Sequence, residues 1–436
     1  MAEFKNSSGF VDCCEGDPLG ALADWRAAAS SGDRPAAILL VTFELAQYWL
    51  RDQPAINLTA VYCLHDDVLQ VSVTDTALSV TGASPEEQYA LWARELGFVC
   101  ATADGALELG PERIAKPWGQ EIWYSGVEER GVCRFRQGDA STPIPWLQAV
   151  MPNGALGNPG TDLVLLKILD PAAQAVTGDL YFELHEEKRE VYVVTHVDEK
   201  AWPDGTGAIR YGFDPKAIEK AGSESAFRQQ YLAAVRSYEA VRREIDDLPA
   251  GDLPSAALTS REEALREAMN DFTALRRLRV GDVIKVPLLL PHSLQHGVRT
   301  IEFQTPVYER KILSFAQQVQ TQEHWDTAEA VRQMALLPPS DSDLQRLQGA
   351  EGCAVERIVD FEDFEVWRVA LQAGAIYCPE PIDSYRIAMV VSGKLTLSGL
   401  FYGPEQAVLV PAGSQLELGS AQSGDEVVFL LATPRS

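Results

Sequence analysis

Two short segments, 178–190 and 281–292, constrain the fold of this chain more than any other part of the sequence. In the first segment, Glu183 and His185 stand two residues apart. Residues two apart in a β-strand point to the same face, so a Glu-x-His pair can converge on one ion. The second segment is rich in branched and proline residues and ends in His292. The pair predicts two strands that meet in one mainly β domain.

Together the two segments offer two carboxylates and two imidazoles, from Glu183, His185, Glu190 and His292. This donor set suits a borderline divalent cation, which predicts a metal site. We expect Glu190 on the antiparallel neighbour of the first strand, after a hairpin turn at 186–189. The alternative interpretation is a surface hairpin of alternating charge and an unrelated loop histidine.

Short alternating segments separated by Gly, Pro and Asn dominate residues 110–205 and return after residue 283, which indicates an antiparallel sandwich or barrel. Between them, apolar residues recur at spacings of three, four and seven from Phe227 to Leu248, and a second helical pattern runs from Leu265 to Leu275. The sequence therefore predicts a helical block, about 206–279, inserted into a β domain that spans 106–337.

The two ends of the chain carry different patterns. Residues 1–105 predict a small α/β appendage of unknown role, with helices at 19–29, 36–50 and 85–96 and a hairpin at 59–74. After a polar linker at 338–352, the residues to 436 predict a second β unit, which contains no histidine. This unit is expected to be a metal-free version of the first.

Composition excludes several classes of partner. The formal net charge is −26, which would repel nucleic acid and anionic membranes. No apolar run reaches the length of a membrane span, and no signal-like segment opens the sequence. The seven cysteines form no spaced pair of the metal-finger type, which favours a reducing compartment. We expect a cytoplasmic protein, a monomer or homodimer, with no nucleic-acid or membrane partner.

The motifs resemble the cupin fold and, within it, the type I mannose-6-phosphate isomerase family. Lys116-Pro-Trp-Gly-Gln-Glu-Ile-Trp123 is similar to that family's Lys-Pro-Trp-Gly signature, and Lys188-Arg-Glu190-Val-Tyr to its Lys-x-Glu-x-aromatic strand. Pro291-His292-Ser-Leu with Glu302 and Gln304 is similar to its Pro-His-x-Leu and Glu-x-Gln segments. The resemblance implies a mainly β chain with two cupin (β-barrel or jelly-roll) units and a helical insertion in the first.

The resemblance also implies site residues and an activity. The metal ligands would be Glu183, His185, Glu190 and His292, with zinc as the expected ion and manganese or iron as alternatives. The residues implied in catalysis or substrate binding are Lys188, Glu302 and Arg310. The implied reaction is aldose–ketose isomerisation of a sugar phosphate, mannose 6-phosphate to fructose 6-phosphate, with a basic cluster for the phosphate at Lys188, Arg189, Arg299, Arg310 and Lys311.

Three departures from the family pattern keep other interpretations open. Glu183 replaces the family's Gln, only four residues separate His185 from Glu190 where the family has a long insertion, and the spacing from Glu302 to Arg310 is shorter. One alternative is a cupin metalloenzyme that acts on another small molecule. The other is a non-catalytic sugar-binding or regulatory protein.

Overall fold

The computed structural model describes residues 4–30, 37–249, 251–320, 322–340, 343–347, 349–420 and 426–435. The chain divides into two compact units. The first takes Met1–Glu112, Trp123–Leu165 and Leu344–Ser436, and the second takes Arg113–Ile122 and Leu166–Asp343. These units follow spatial contacts and not chain order, so the predicted domains 1–105, 106–337 and 338–436 stay predictions.

The described helices are, in chain order, α1 (Pro18–Ser30), α2 (Pro85–Leu96), α3 (Ile144–Val150), α4 (Pro215–Ala221), α5 (Glu224–Asp246), α6 (Ala256–Asn270) and α7 (Thr327–Gln333). A single 3₁₀ turn covers Pro152–Gly154. None of these described helices combines the length and the apolar composition that a membrane span requires.

The strands far outnumber the helices, so the fold is mainly β, as the sequence predicts. Those up to residue 171 are β1 (Lys5–Ser8), β2 (Val11–Glu15), β3 (Ile38–Ala46), β4 (Ala55–His65), β5 (Val68–Thr74), β6 (Ala101–Thr102), β7 (Leu107–Gly110), β8 (Glu112–Lys116), β9 (Gly119–Trp123), β10 (Val127–Glu128), β11 (Gly131–Val132), β12 (Arg134–Gln137), β13 (Ala140–Pro143) and β14 (Leu165–Pro171).

The later strands fall into two groups. Those up to residue 314 are β15 (Phe182–Leu184), β16 (Glu190–Val197), β17 (Gly207–Phe213), β18 (Thr273–Leu278), β19 (Val283–Val286), β20 (His292–Leu294), β21 (Val298–Gln304) and β22 (Lys311–Ser314). The last are β23 (Gln345–Leu347), β24 (Cys353–Asp360), β25 (Phe364–Leu371), β26 (Ile376–Tyr377), β27 (Arg386–Ser392), β28 (Leu395–Leu397), β29 (Leu400–Tyr402), β30 (Ala407–Val410), β31 (Leu418–Ser420) and β32 (Val427–Pro434).

The first unit contains four sheets. One has the order β1-β2-β3-β4-β5-β6, one has nine strands in the order β13-β12-β7-β30-β27-β32-β25-β24-β23, one has the order β26-β31-β28-β29, and the smallest pairs β10 with β11. The β structure predicted after residue 352 is confirmed, with β25, β27, β28, β30 and β32 among its strands. The predicted linker at 338–352 contains β23, while its positions 341, 342 and 348 lie outside the described residues.

One predicted helix of the N-terminal region is wrong. The apolar run at 36–50, whose first position lies outside the described residues, forms β3 and not a helix. This strand pairs with β2 on one side and β4 on the other, and four consecutive residues from Ile38 to Val41 are buried. A strand buried on both faces is continuously apolar, so its pattern cannot be distinguished from that of a short buried helix. The predicted helices at 19–29 and 85–96 and the predicted hairpin at 59–74 are confirmed.

The second unit is built from two sheets. A six-stranded sheet has the order β19-β16-β21-β14-β9-β8, and a five-stranded sheet has the order β18-β17-β20-β15-β22. Side chains of both sheets form one apolar core, which includes Tyr192 and Ile284 from the first and Ile209, Leu294 and Ile312 from the second. The described strands form open sheets and no closed barrel, and this arrangement is cupin-like.

The predicted helical insertion is present between β17 and β18, but it is shorter than the predicted range of 206–279, whose two ends form these strands. Its long helix α5 begins after Ser223, whose side chain accepts a hydrogen bond from the amide of Ala226. Its buried residues recur at the helical period, which attaches the helix to the unit by one apolar face: Phe227, Tyr231, Val235, Tyr238 and Val241. The second helix ends at Asn270, earlier than the pattern predicts, because Leu275 lies in β18.

Candidate metal centre

The backbone joins the two predicted segments directly. Glu183 on β15 lies opposite His292 on β20 in an antiparallel pair. The amide of Leu289 donates a hydrogen bond of 2.7 Å to the carbonyl oxygen of His185, which fixes the chain just before His292 to the chain just after β15. The side chains of Glu183, His185 and His292 each offer one ligand atom, and these atoms all lie within 4.8 Å of one another.

The predicted position of Glu190 on a hairpin neighbour of the first strand is wrong. Strand β15 pairs with β20 and β22, whereas β16 pairs with β19 and β21 in the other sheet. The segment 186–189 therefore crosses from one sheet to the other. Glu190 consequently faces the Glu183–His185–His292 group from the opposite sheet, with Oε1 3.3 Å from Nε2 of His185 and Oε2 3.1 Å from Nε2 of His292.

Backbone carbonyls fix the orientation of both imidazoles. Nδ1 of His185 lies 3.0 Å from the carbonyl oxygen of Glu309, and Nδ1 of His292 lies 3.1 Å from that of Leu290. A carbonyl can only accept, so each Nδ1 carries the proton, and in the neutral ring Nε2 carries the lone pair. Both Nε2 atoms face Glu190, and Nε2 of His185 has no hydrogen-bond partner among the described residues.

This arrangement fits a metal ion. Two imidazole lone pairs and a carboxylate are all acceptors, and buried acceptors that face one another need a cation between them. Oε2 of Glu183 also lacks a hydrogen bond from any described residue. Imidazole nitrogens with carboxylate oxygens are the donors that zinc, manganese and iron take in proteins. Glu183, His185 and His292 could hold the ion, with Glu190 beside them.

Glu190 has the most fully engaged carboxylate of the centre. Its Oε1 lies 2.7 Å from Nζ of Lys188, and its Oε2 accepts a hydrogen bond of 2.5 Å from the hydroxyl of Tyr192. Burial alone would raise the pKa of Glu190, but the ammonium group of Lys188 and the adjoining His185 and His292 lower it by more and hold that pKa well below its usual range. Glu190 is therefore a carboxylate, although only 2% of its surface is exposed.

The pKa of Glu302 shifts in the opposite direction to that of Glu190. It lies opposite Tyr192 in the β16–β21 pair and is 1% exposed, and neither of its oxygens accepts a hydrogen bond from a described residue. Burial raises its pKa well above the usual value; Lys167 opposes this shift, and the negative charge of Glu190 adds to it. The raised pKa favours the protonated form of this side chain in the metal-free protein.

Arg310 faces inward. Its Nη1 lies 3.6 Å from Oε2 of Glu183, and its guanidinium group stacks 4.5 Å above the ring of Tyr181. Burial lowers the pKa of Arg310, but Glu183, Tyr308, Tyr181 and Glu121 together raise it by more. Burial raises the pKa of Glu183, but Arg310, His185, Lys188 and His292 together lower it by more. The two side chains form a largely buried ion pair.

The other cations of the predicted basic cluster are not all gathered at the centre. Arg299 lies three residues before Glu302 on the same strand, so alternation turns it to the other face, where it pairs with Asp170 at 2.6 Å. Lys311 pairs with Glu186 at 3.3 Å and with Glu329 at 2.8 Å.

Three linked charges, Lys167, Glu121 and Lys116, adjoin Glu302 and are absent from the residues predicted as functional. Nζ of Lys167 lies 3.4 Å from Oε2 of Glu302 and 3.8 Å from Oε1 of Glu121, whose Oε2 lies 3.0 Å from Nζ of Lys116. The sequence carried a signal for Lys167. A single lysine in the apolar run Leu165-Leu-Lys-Ile-Leu169 must enter a buried strand, where a charge needs a partner.

The two facing sheets and the enclosed histidine–carboxylate group define a cupin-like fold with a candidate metal centre. No protein-family model and no curated protein sequence matches the chain. Solved structures do match. The mannose 6-phosphate isomerase from Bacillus subtilis is 14% identical, with a TM-score of 0.53 over 75% of this chain and 99% of that one. The apo form of mannose 6-phosphate isomerase from Salmonella typhimurium is 12% identical, with a TM-score of 0.53 over 76% and 99%. The chain therefore has a divergent mannose-6-phosphate isomerase fold, as its motifs predict.

Proposed function

We propose that this chain is a metal-dependent aldose–ketose isomerase that converts mannose 6-phosphate to fructose 6-phosphate. The observation that carries the proposal is the convergence of Glu183, His185 and His292, beside Glu190, inside a fold shared with mannose 6-phosphate isomerases. The first three residues would hold the ion, with Glu190 as the fourth ligand and zinc as the expected metal. When bound, the ion supplies positive charge that polarises the sugar oxygens.

Side chains of the protein would carry out the proton transfer and the binding of the substrate. Isomerisation moves a proton between two neighbouring carbons of the sugar, which needs a group that can hold and return a proton. Glu302 would serve this role in its ionised form, because a buried carboxylate with a raised pKa is a stronger base that would take the proton from one carbon and return it to the next. Lys188 and Arg310 would contact the substrate, Lys188 beside Glu190 and Arg310 beside Glu183. The aromatic rings of Tyr181 and Tyr192 shield this part of the unit from water.

A second candidate is a metalloenzyme that acts on a different small molecule. It is favoured by the fact that the cations nearest the centre are engaged with carboxylates: Lys188 with Glu190, Arg310 with Glu183, and Lys311 with Glu186. A phosphate group would have to compete with these carboxylates for its contacts. The cytoplasmic location and the oligomeric state stay predictions.

A coupled assay for fructose 6-phosphate separates the two candidates. We expect metal-replete protein to convert mannose 6-phosphate, chelator to stop the conversion, and added zinc to restore it. His324→Ala is the matched control, because that imidazole is 75% exposed and its removal leaves the candidate ligands intact. If protein that binds a metal ion forms no fructose 6-phosphate, the isomerase proposal fails and the second candidate stands.

A further inference from the structure

Glu309 contacts the candidate centre through both its backbone and its side chain. Its backbone carbonyl oxygen accepts the hydrogen bond from Nδ1 of His185 at 3.0 Å. Its carboxylate Oε2 accepts from the amides of Glu186 and Glu187 at 2.8 and 3.2 Å. One residue therefore holds the ring of a candidate ligand and the first two amides of the segment that crosses between the sheets.

The crossing segment needs such an anchor. It has only four residues between His185 and Glu190, and both ends carry residues of the centre. Backbone amides in a turn of this kind have no strand partner, so they must be satisfied by a side chain or by water. A carboxylate that accepts two amides makes charge-assisted hydrogen bonds, which are about twice as strong as neutral ones.

Contacts farther along fix the same segment at its other positions. The side chain of Glu186 is held by Lys311, and the amide of Arg189 donates to the hydroxyl of Thr305 at 3.0 Å. Glu309 lies between them in sequence: Thr305 begins the stretch that links β21 to β22, and Lys311 is the first residue of β22. This stretch therefore serves as a support for the crossing segment, with Glu309 making the contacts nearest to His185.

We propose that Glu309 is a positioning residue that sets the tautomer and orientation of His185 and the path of the chain from His185 to Glu190. The proposal rests on the metal site described under the proposed function. Without the carboxylate, the amides of 186 and 187 turn to water and the Glu309 backbone shifts, so Nδ1 of His185 loses its acceptor. Partners that orient a metal-binding histidine are worth about 10–100-fold in metal affinity.

Three variants test this role. Glu309→Ala removes both side-chain hydrogen bonds. Glu309→Gln keeps an oxygen acceptor of the same shape without the charge. Glu187→Ala is the matched control, because it removes an exposed carboxylate from the same segment and leaves the amide of 187 in place. Zinc alone is titrated into each variant by calorimetry. We expect about 10–100-fold weaker binding for Glu309→Ala, an intermediate value for Glu309→Gln, and no change for Glu187→Ala.

Two further readouts use the metal-free protein. Nitrogen chemical shifts of labelled histidine report the tautomer of His185, and hydrogen exchange reports the protection of the amides of 186 and 187. We expect Glu309→Ala to lose the single tautomer and to exchange these two amides at least about tenfold faster. The proposal is overturned if Glu309→Ala has the zinc affinity, the His185 tautomer and the amide exchange rates of the wild type. If Glu309→Ala does not fold, Glu309→Gln decides in the same way. If the wild type binds no zinc, the proposed function fails, and the metal-free readouts still decide the role of Glu309.

Discussion

Glu190→Gln provides the sharpest test of the charges at the centre. The Glu190 carboxylate lies 2.7 Å from the ammonium group of Lys188, and the two side chains are 2% and 9% exposed. At this separation and an effective dielectric constant of about 20, the attraction is about 6 kcal/mol before desolvation is counted. Glutamine keeps the shape and an acceptor for Tyr192 but leaves the buried ammonium group without its counter-charge.

The net loss is smaller than the Coulomb attraction, because the cost of burying both charges offsets part of it. Removing one partner of a buried pair costs about 3–5 kcal/mol, whereas an exposed pair is worth about 0–1 kcal/mol. We expect Glu190→Gln to lower the free energy of unfolding of metal-free protein by about 3 kcal/mol. Replacing Lys188 with methionine in the same chain should recover most of this loss, because no unpaired charge then remains buried.

Native-state hydrogen exchange of the β16 amides, in the presence of chelator, measures the opening free energy of the unit that holds the pair. Glu244→Gln is the control, because its ion pair with Arg261 has a similar length of 3.0 Å but is more than half exposed. The pKa of Glu190 is depressed in the folded state, so its contribution is complete above the unfolded value of 4.5 and declines as the pH falls below it. A loss below 1 kcal/mol at pH 7, or a loss equal to that of the control, would refute the reasoning.

Three further predictions concern other titratable groups. His292→Ala should reduce the bound metal from about one ion per chain to none, because a centre left with one imidazole loses most of its affinity for the ion. Mass spectrometry measures the metal content, and an unchanged content would show that His292 is not a ligand. Glu302→Gln should lower kcat by at least about 100-fold. The raised pKa of Glu302 makes the folded chain bind more protons than the unfolded chain, so the stability of the wild type should decline as the pH rises above 4.5. Glu302→Gln should abolish this decline, which urea unfolding at pH 5 and 8 measures. Asp162, whose pKa burial raises from 3.8 to about 6, should impose a similar decline between pH 4 and 6 that Asp162→Asn removes; an unchanged pH profile would contradict this.

The sequence was informative where one residue type at a fixed spacing decided the structure. The Glu-x-His pair placed its two side chains on one face, and the helical period of α5 revealed the insertion. It was uninformative where two structures share a pattern. The run at 36–50 is continuously apolar from Ile38 to Val41, which suits a helix in a core as well as the central strand β3.

The prediction for the position of Glu190 was wrong for a different reason. A polar stretch of four residues is the ordinary signature of a hairpin, and nothing in its composition states that the chain will cross to another sheet. The crossing segment is held by hydrogen bonds that its amides donate to Glu309 and Thr305, more than a hundred residues away in sequence. Long-range side-chain contacts of this kind cannot be predicted from local spacing.

A positive charge at the centre would let an acidic chain attract the anionic substrate that is proposed for it. The carboxyl groups and cationic side chains of the centre and its adjoining charge chain are equal in number: Glu121, Glu183, Glu190 and Glu302 against Lys116, Lys167, Lys188 and Arg310. Because burial and the charge of Glu190 raise the pKa of Glu302 and so favour its neutral form, this set tends towards a net positive charge, to which a divalent ion would add two more. The net charge of −26 repels anions from the rest of the chain. A positive centre attracts them, which favours their capture where the chemistry is proposed to occur. A glutamine at 183 would remove a negative charge and make the centre more positive. The carboxylate of Glu183 therefore lowers the positive charge of the centre and holds Arg310 in place by their ion pair.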